Sequence, residues 1–206
     1  MSRRSLQRAY ALWAPIYDLA VQGFSRGPRA ANIAEIPASA QSILVVGAGT
    51  GLDLPLLPSG RLCLALDISW AMLHRARPRA AAGVQLLQAD AEALPIADAS
   101  CDAVLLHLIL AVVPHADQAL AEACRVLKPG GVLLIFDKFL RPGQRAPLRR
   151  ALAPFSAAIA TRTDLVLEEL LAKRPELQLA SDQAAAVGGW FRRLRLHKSP
   201  NGNRVS

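Results

Sequence analysis

The chain has 206 residues, of which 52% are hydrophobic and 5% aromatic, enough for one domain with a large aliphatic core. Three cysteines, Cys63, Cys101 and Cys124, lie in apolar runs without metal-like spacing, and no apolar signal core follows Met1-Ser2-Arg3-Arg4; the expectation is buried, reduced thiols in the cytoplasm. The longest apolar stretch, 103–114, is interrupted by His107 and too short to span a bilayer, which excludes an integral membrane protein.

Residues 5–34 carry Leu6, Tyr10, Trp13, Tyr17, Val21 and Phe24 at spacings of three or four, interrupted at Pro15, Gly23 and Gly27. This pattern predicts an irregular amphipathic helical cap over 1–36. Next, Ile43-Leu44-Val45-Val46 reads as a buried parallel strand running straight into Gly47-Ala48-Gly49-Thr50-Gly51. Further strands are predicted at 62–66, 84–87, 102–106 and 132–137, with helices at 52–58, 69–79 and 116–127. The alternation specifies a doubly wound, mostly parallel α/β sheet. Its crevice lies at the carboxyl ends of the strands, where Gly47, Asp67, Asp90 and His107 all fall. After Asp137 the pattern changes. Arginines 141, 145, 149 and 150 precede an apolar segment at 151–160, Asp164 reads as a helix N-cap, and 177–179 and 190–196 read as two strands of a closing antiparallel hairpin. Residues 199–206 read as a disordered tail.

The chemistry concentrates in the strand tips. Glycines permit positive φ and let a ligand lie against bare backbone. A carboxylate at the second strand tip, Asp67, can accept from both hydroxyls of a ribose. The glycine pattern is G-x-G-x-G, since Leu52 stands where a dinucleotide fingerprint has its third glycine. That points to a nucleoside-type cofactor without a pyrophosphate.

These residues, with Asp67-Ile68-Ser69, Met72-Leu73, Asp90-Ala91, the segment 100–107 and Arg125-Val126-Leu127-Lys128-Pro129-Gly130-Gly131 in the same order, resemble the class I S-adenosylmethionine-dependent methyltransferases across roughly 40–140. The resemblance implies a Rossmann-like seven-stranded fold and S-adenosylmethionine as cofactor, held by Gly47, Ala48, Gly49, Gly51, Asp67, Ile68, Met72, Asp90, Ala91 and His107. Asp90 would accept from the adenine amine, and the adjacent backbone amide would donate to the ring. The phrase Tyr10-Ala11-Leu12-Trp13-Ala14-Pro15-Ile16-Tyr17-Asp18 resembles the N-termini of small bacterial phospholipid N-methyltransferases and quinone C-methyltransferases. It implies a lid in which Tyr10 and Tyr17 reach the cofactor or acceptor. One position departs from the family: Val45 stands where an acid usually orders the glycine turn and the methionine amine.

Methyl transfer from a sulfonium is an in-line displacement, so the protein aligns donor and acceptor and excludes water. His107 and Tyr17 are the catalytic candidates, His107 with a packing role as its alternative. His115 reads as a helix-start residue, and Asp137 with Lys138 as either an ion pair or a catalytic pair. The net charge of +8 comes from arginine groups at 3, 4, 8, 26 and 29, at 141–150, and at 192, 193 and 195. They form either a solvated face or a contact for an anionic membrane. The expected acceptor is a small amphipathic or lipid-borne molecule, such as the amine of phosphatidylethanolamine. Alternatives are a quinone precursor, a soluble natural product, or a silent cofactor-binding protein. Nucleic acid is not expected, because no base-stacking platform is visible and the fourth strand continues as His107-Leu108-Ile109-Leu110. No metal is expected. The expected location is the cytoplasm, with peripheral contact at the inner membrane surface.

Overall fold

A computed structural model describes residues 23–140 and 165–200. The expectations for Tyr10, Trp13, Tyr17, the Asp164 cap and the arginines at 3, 4, 8 and 141–150 lie outside the described residues. Seven strands form one sheet: β1 Ser42–Val46, β2 Leu62–Asp67, β3 Val84–Gln88, β4 Cys101–His107, β5 Leu127–Lys138, β6 Leu177–Ala186 and β7 Phe191–Lys198. Their order is β3-β2-β1-β4-β5-β7-β6. The first five run parallel, and β7 inserts antiparallel between β5 and β6. The described helices are α1 over 23–33, α2 Trp70–Ala76, α3 Ala116–Val126 and α4 Leu167–Ala172.

The central strands read as uninterrupted apolar runs because both sheet faces are covered. On one face Ile43, Val45, Ala65, Ala103, Leu105, Val132 and Leu134 pack with Ile33 of α1. On the other, Leu44, Val46, Leu66, Val104, Leu106, Leu133 and Ile135 pack with Ala119, Leu120 and Ala123 of α3 and Leu167 and Leu170 of α4. The period of two along each strand divides these sets. Each fully buried leucine contributes roughly 2 kcal/mol. Register then aligns the tips: Val46 sits between Leu66 and Leu106, and His107 is opposite Phe136. The turn at Gly47, Asp67 and His107 therefore emerge side by side.

Three elements differ from expectation. The helix expected at 52–58 is a single 3-10 turn, Leu54–Leu56. Pro58 has no amide to extend it, and the residue before it, Leu57, is extended at ψ 143°. β5 starts at Leu127 rather than 132, because Leu127 pairs with Cys101 across an irregularity in the ladder. β6 continues to Ala186 because β7 offers it partners along its length. Gly188 and Gly189, at φ 60° and 86°, then reverse the chain.

Candidate cofactor site

The turn after β1 has all three glycines at positive φ: 71°, 55° and 83° at Gly47, Gly49 and Gly51. A Cβ on Gly47 would lie 2.5 Å from Cδ1 of Ile109, so this glycine lets the loop after β4 close over β1. A Cβ on Gly49 would meet nothing within 4 Å, and the turn presents bare backbone there. The Ala48 amide donates to Leu66 O at 2.8 Å, tying the turn to β2.

Asp67 closes the turn from the neighbouring tip. Its Oδ2 accepts from the Gly49 amide and its Oδ1 from the Ser69 amide, each at 2.8 Å. Burial raises its carboxyl above the ordinary 3.8, and the two amides offset part of the rise. Two of its roughly four acceptor positions remain for a ligand. Ile68 is half-buried, its carbonyl taking Gln88 Nε2 at 3.0 Å. Met72 is buried on the inner side of α2.

Asp90 turns the chain after β3, its Oδ1 accepting from the Glu92 amide at 3.0 Å, while Ala91 is buried in the core. Residues to which the sequence assigned no part in this loop hold it in place. Glu122 of α3 accepts from the Leu94 amide at 2.7 Å, Arg125 donates to Leu94 O at 2.9 Å, and Glu92 accepts from the His115 amide at 2.7 Å. His115 is the N-cap residue of α3 and makes no side-chain cap bond. The two acids and the arginine were visible in the sequence, but their partners lie between about twenty and thirty residues away and carry no local signature.

His107 is buried at 3% exposure, with both ring nitrogens engaged. Nδ1 lies 2.8 Å from Asp53 Oδ1, and Nε2 lies 3.0 Å from Asn32 Nδ2. The Asp53 carboxylate can only accept, so the ring donates to it through Nδ1. His107 shares the α1 face with Leu105, two residues earlier on β4. It is packed edge-on against Phe136 rather than presented as a free base. Asp53 also pairs with Arg29, Nη1 to Oδ2 at 2.6 Å. Burial works to raise the Asp53 carboxyl, but His107 and Arg29 outweigh it and hold it well below the usual carboxylate range. Asp53 and Asn32 were missed; the available signal was a lone acid inside Leu52-Asp53-Leu54-Pro55-Leu56-Leu57.

Asp137, at the end of β5, is buried and accepts from the amides of Ala111 at 3.1 Å and Lys138 at 2.8 Å. Burial pushes its carboxyl up to about 6 despite these bonds and the Lys138 charge. Val45 is buried among apolar side chains on the α1 face. Two arginine groups turn out partly internal. Arg29 is buried as described, and Arg192 is 3% exposed and paired with Asp182 and Glu168 at 2.6 and 2.9 Å. These two belong to the packing and not to a solvated basic face. Cys63, Cys101 and Cys124 are buried free thiols, that of Cys124 pushed by burial up to about 12. Among the described residues no group of three or more His, Cys, Asp or Glu is placed to hold a metal ion, and no helix is long and apolar enough to cross a membrane.

The strand order, the bare-backbone turn and the acid at the second tip define a Rossmann-like fold of the methyltransferase type. Known proteins carry this from fold to family. The methyltransferase domain family matches residues 44–135. A phosphatidylethanolamine N-methyltransferase from Cereibacter sphaeroides is 32% identical over 204 residues, spanning 96% of this chain and 100% of that one. A ubiquinone/menaquinone biosynthesis C-methyltransferase from Pseudomonas putida is 31% identical over 184 residues, spanning 80% of this chain and 70% of its own. In structure, a chain of the complex between the Haloferax volcanii Trm112 methyltransferase activator and its methyltransferase superposes with a TM-score of 0.79. It covers 97% of this chain and 99% of that one at 17% identity, a likeness of fold alone. The chain belongs to the class I S-adenosylmethionine-dependent methyltransferases, with S-adenosylmethionine as its methyl donor.

Proposed function

We propose that the chain methylates a lipid-borne amine, the headgroup of phosphatidylethanolamine or a close chemical relative. The observation that carries this is the extent of the similarity to the Cereibacter sphaeroides phosphatidylethanolamine N-methyltransferase. It runs over 204 residues and so includes the N-terminal segment and closing hairpin as well as the shared core. In this class the core binds the cofactor, and the flanking segments shape the acceptor site. A quinone precursor is the second reading, supported by the Pseudomonas putida relative.

The residues fit the cofactor chemically. Gly49 offers backbone with space beside it, Asp67 retains acceptor capacity for a ribose diol, and Asp90 brings a carboxylate, an acceptor by nature, to the turn after the third strand, where an exocyclic amine would lie. Gly47, Ala48 and Gly51 shape the turn, Ala91 supplies an amide, and Ile68 and Met72 supply apolar surface. Tyr10 and Tyr17 belong to the same proposal as lid residues. Bound S-adenosylmethionine supplies a methyl group already activated by its sulfonium. The chain's task is to align the acceptor and exclude water. An amine must reach the methyl with its lone pair free. With both ring nitrogens engaged, His107 acts here through position. Contact with an anionic bilayer surface completes the proposal: the arginines at 3, 4, 8 and 141–150 flank the core in sequence, and basic residues near anionic lipid contribute roughly 1 kcal/mol each.

The test is incubation of the full chain with methyl-labelled S-adenosylmethionine and a bacterial lipid extract, followed by chromatographic separation. Label in N-methylated phosphatidylethanolamine is the expected result. Label confined to a quinone fraction would establish the second reading.

A further inference from the structure

We propose that Asp53 is a positioning residue for the cofactor turn, clamped between Arg29 and His107 so that the turn holds its binding shape only while α1 is docked. The inference rests on the reading of that turn as the S-adenosylmethionine site.

Ser25, Arg29 and Asn32 stand at i, i+4 and i+7 on α1 and therefore on one helix face. All three are buried, at 0%, 7% and 0% exposure, on a face whose next residue, Ile33, packs into the apolar core. Together they build one chain of contacts. Ser25 Oγ accepts from Arg29 Nε at 3.2 Å, and Arg29 Nη1 reaches Asp53 Oδ2 at 2.6 Å. Asp53 Oδ1 lies 2.8 Å from His107 Nδ1, and His107 Nε2 lies 3.0 Å from Asn32. The chain starts and ends on α1, and passes through the cofactor turn and the β4 tip on the way.

Asp53 is two residues beyond Gly51 and leads directly into the 3-10 turn Leu54–Leu56. The turn is held at Gly49 by Asp67 and at Thr50 O by Arg79 Nη1 at 2.6 Å. Asp53 supplies the anchor at its C-terminal end. Val45, beneath the same face, is buried and brings no polar group. A buried ion pair is poor at adding net stability, but removing one partner leaves the other charge uncompensated. Such a chain therefore favours one arrangement of helix and turn over its alternatives.

The experiment titrates the full chain with S-adenosylhomocysteine by calorimetry, for wild type, D53N, H107N and H107Q, with a thermal melt of each. An asparagine at 107 can place its amide near the Nδ1 position and keep a donor for Asp53. A glutamine reaches the Nε2 position and keeps only the link to Asn32. Affinity falls more than tenfold in D53N and H107Q, and clearly less in H107N. With label transfer as readout, KM for S-adenosylmethionine rises in these variants while kcat at saturating cofactor changes less. D53N that melts cooperatively and binds within twofold of wild type overturns the proposal. Equal losses in H107N and H107Q overturn it too, and decide the matter should D53N fail to fold, since both leave the Arg29–Asp53 pair intact. A folded wild-type chain that binds no S-adenosylhomocysteine refutes the site reading itself, and the positioning role falls with it.

Discussion

Replacing Asp67 by alanine removes the carboxylate that both closes the cofactor turn and faces its ligand. In the structure each carboxylate oxygen takes one backbone amide at 2.8 Å, from Gly49 and Ser69. About two acceptor positions are thus left for the ribose hydroxyls. A hydrogen bond to a charged group contributes about 1.5–3 kcal/mol. At about 1.4 kcal/mol per decade, Asp67→Ala weakens binding of S-adenosylhomocysteine roughly ten- to hundredfold. The melt reports a separate effect, because the Gly49 amide loses its partner in a half-buried position. Asp67→Asn discriminates further. It preserves volume, but its NH2 confronts one of the two amides donor to donor, so its affinity belongs nearer the alanine variant than wild type. Calorimetric titration of folded protein measures all three. A dissociation constant within twofold of wild type for folded Asp67→Ala would falsify the assignment of this tip to the ribose.

Three further outcomes are expected. Asp137 ionises near 6 in the folded chain against an ordinary 3.8. Between those values the native state binds more protons than the unfolded chain, so stability falls as pH rises from about 4 to about 6, by up to about 3 kcal/mol. Urea melts of Asp137→Asn should be flatter across this window, and an unchanged pH slope would show that the carboxyl is not the titrating group. Deletion of residues 1–22 should abolish label transfer while leaving a cooperatively melting core, and full activity in the truncated chain would remove the lid reading. Co-sedimentation with vesicles should require anionic lipid and fall steeply with salt, since exposed charges are screened over about 10 Å at 0.1 M ionic strength. Equal binding to neutral and anionic vesicles, or none to either, would move a soluble acceptor to first place.

Much of this was legible from local pattern. A continuous apolar run ending in glycines is a buried parallel strand meeting a tight turn, and Ile43 to Gly51 forms that. Asp67 and His107 were placed at strand tips, and each is the last residue of its strand. α3 follows from its apolar spacing, with Ala116, Ala119, Leu120, Ala123 and Cys124 all buried. Such features depend on residues within one turn or one strand, where period and backbone preference decide the outcome. The helix expected at 52–58 failed because Pro58 overrode an otherwise helical apolar pattern. The true span of β6 depended on a partner strand, and a strand's extent is set by who pairs with it. The role of His107 was decided furthest from sequence. Its ring nitrogens are taken by Asn32, 75 residues before it, and Asp53, 54 residues before it. The sequence alone determined the sheet, the glycine turn and the acid at its neighbour's tip. Only the tertiary structure decided that Arg29, Asp53 and His107 are joined, because buried polar groups choose partners by proximity in space, and proximity across a sheet leaves no periodic trace along the chain.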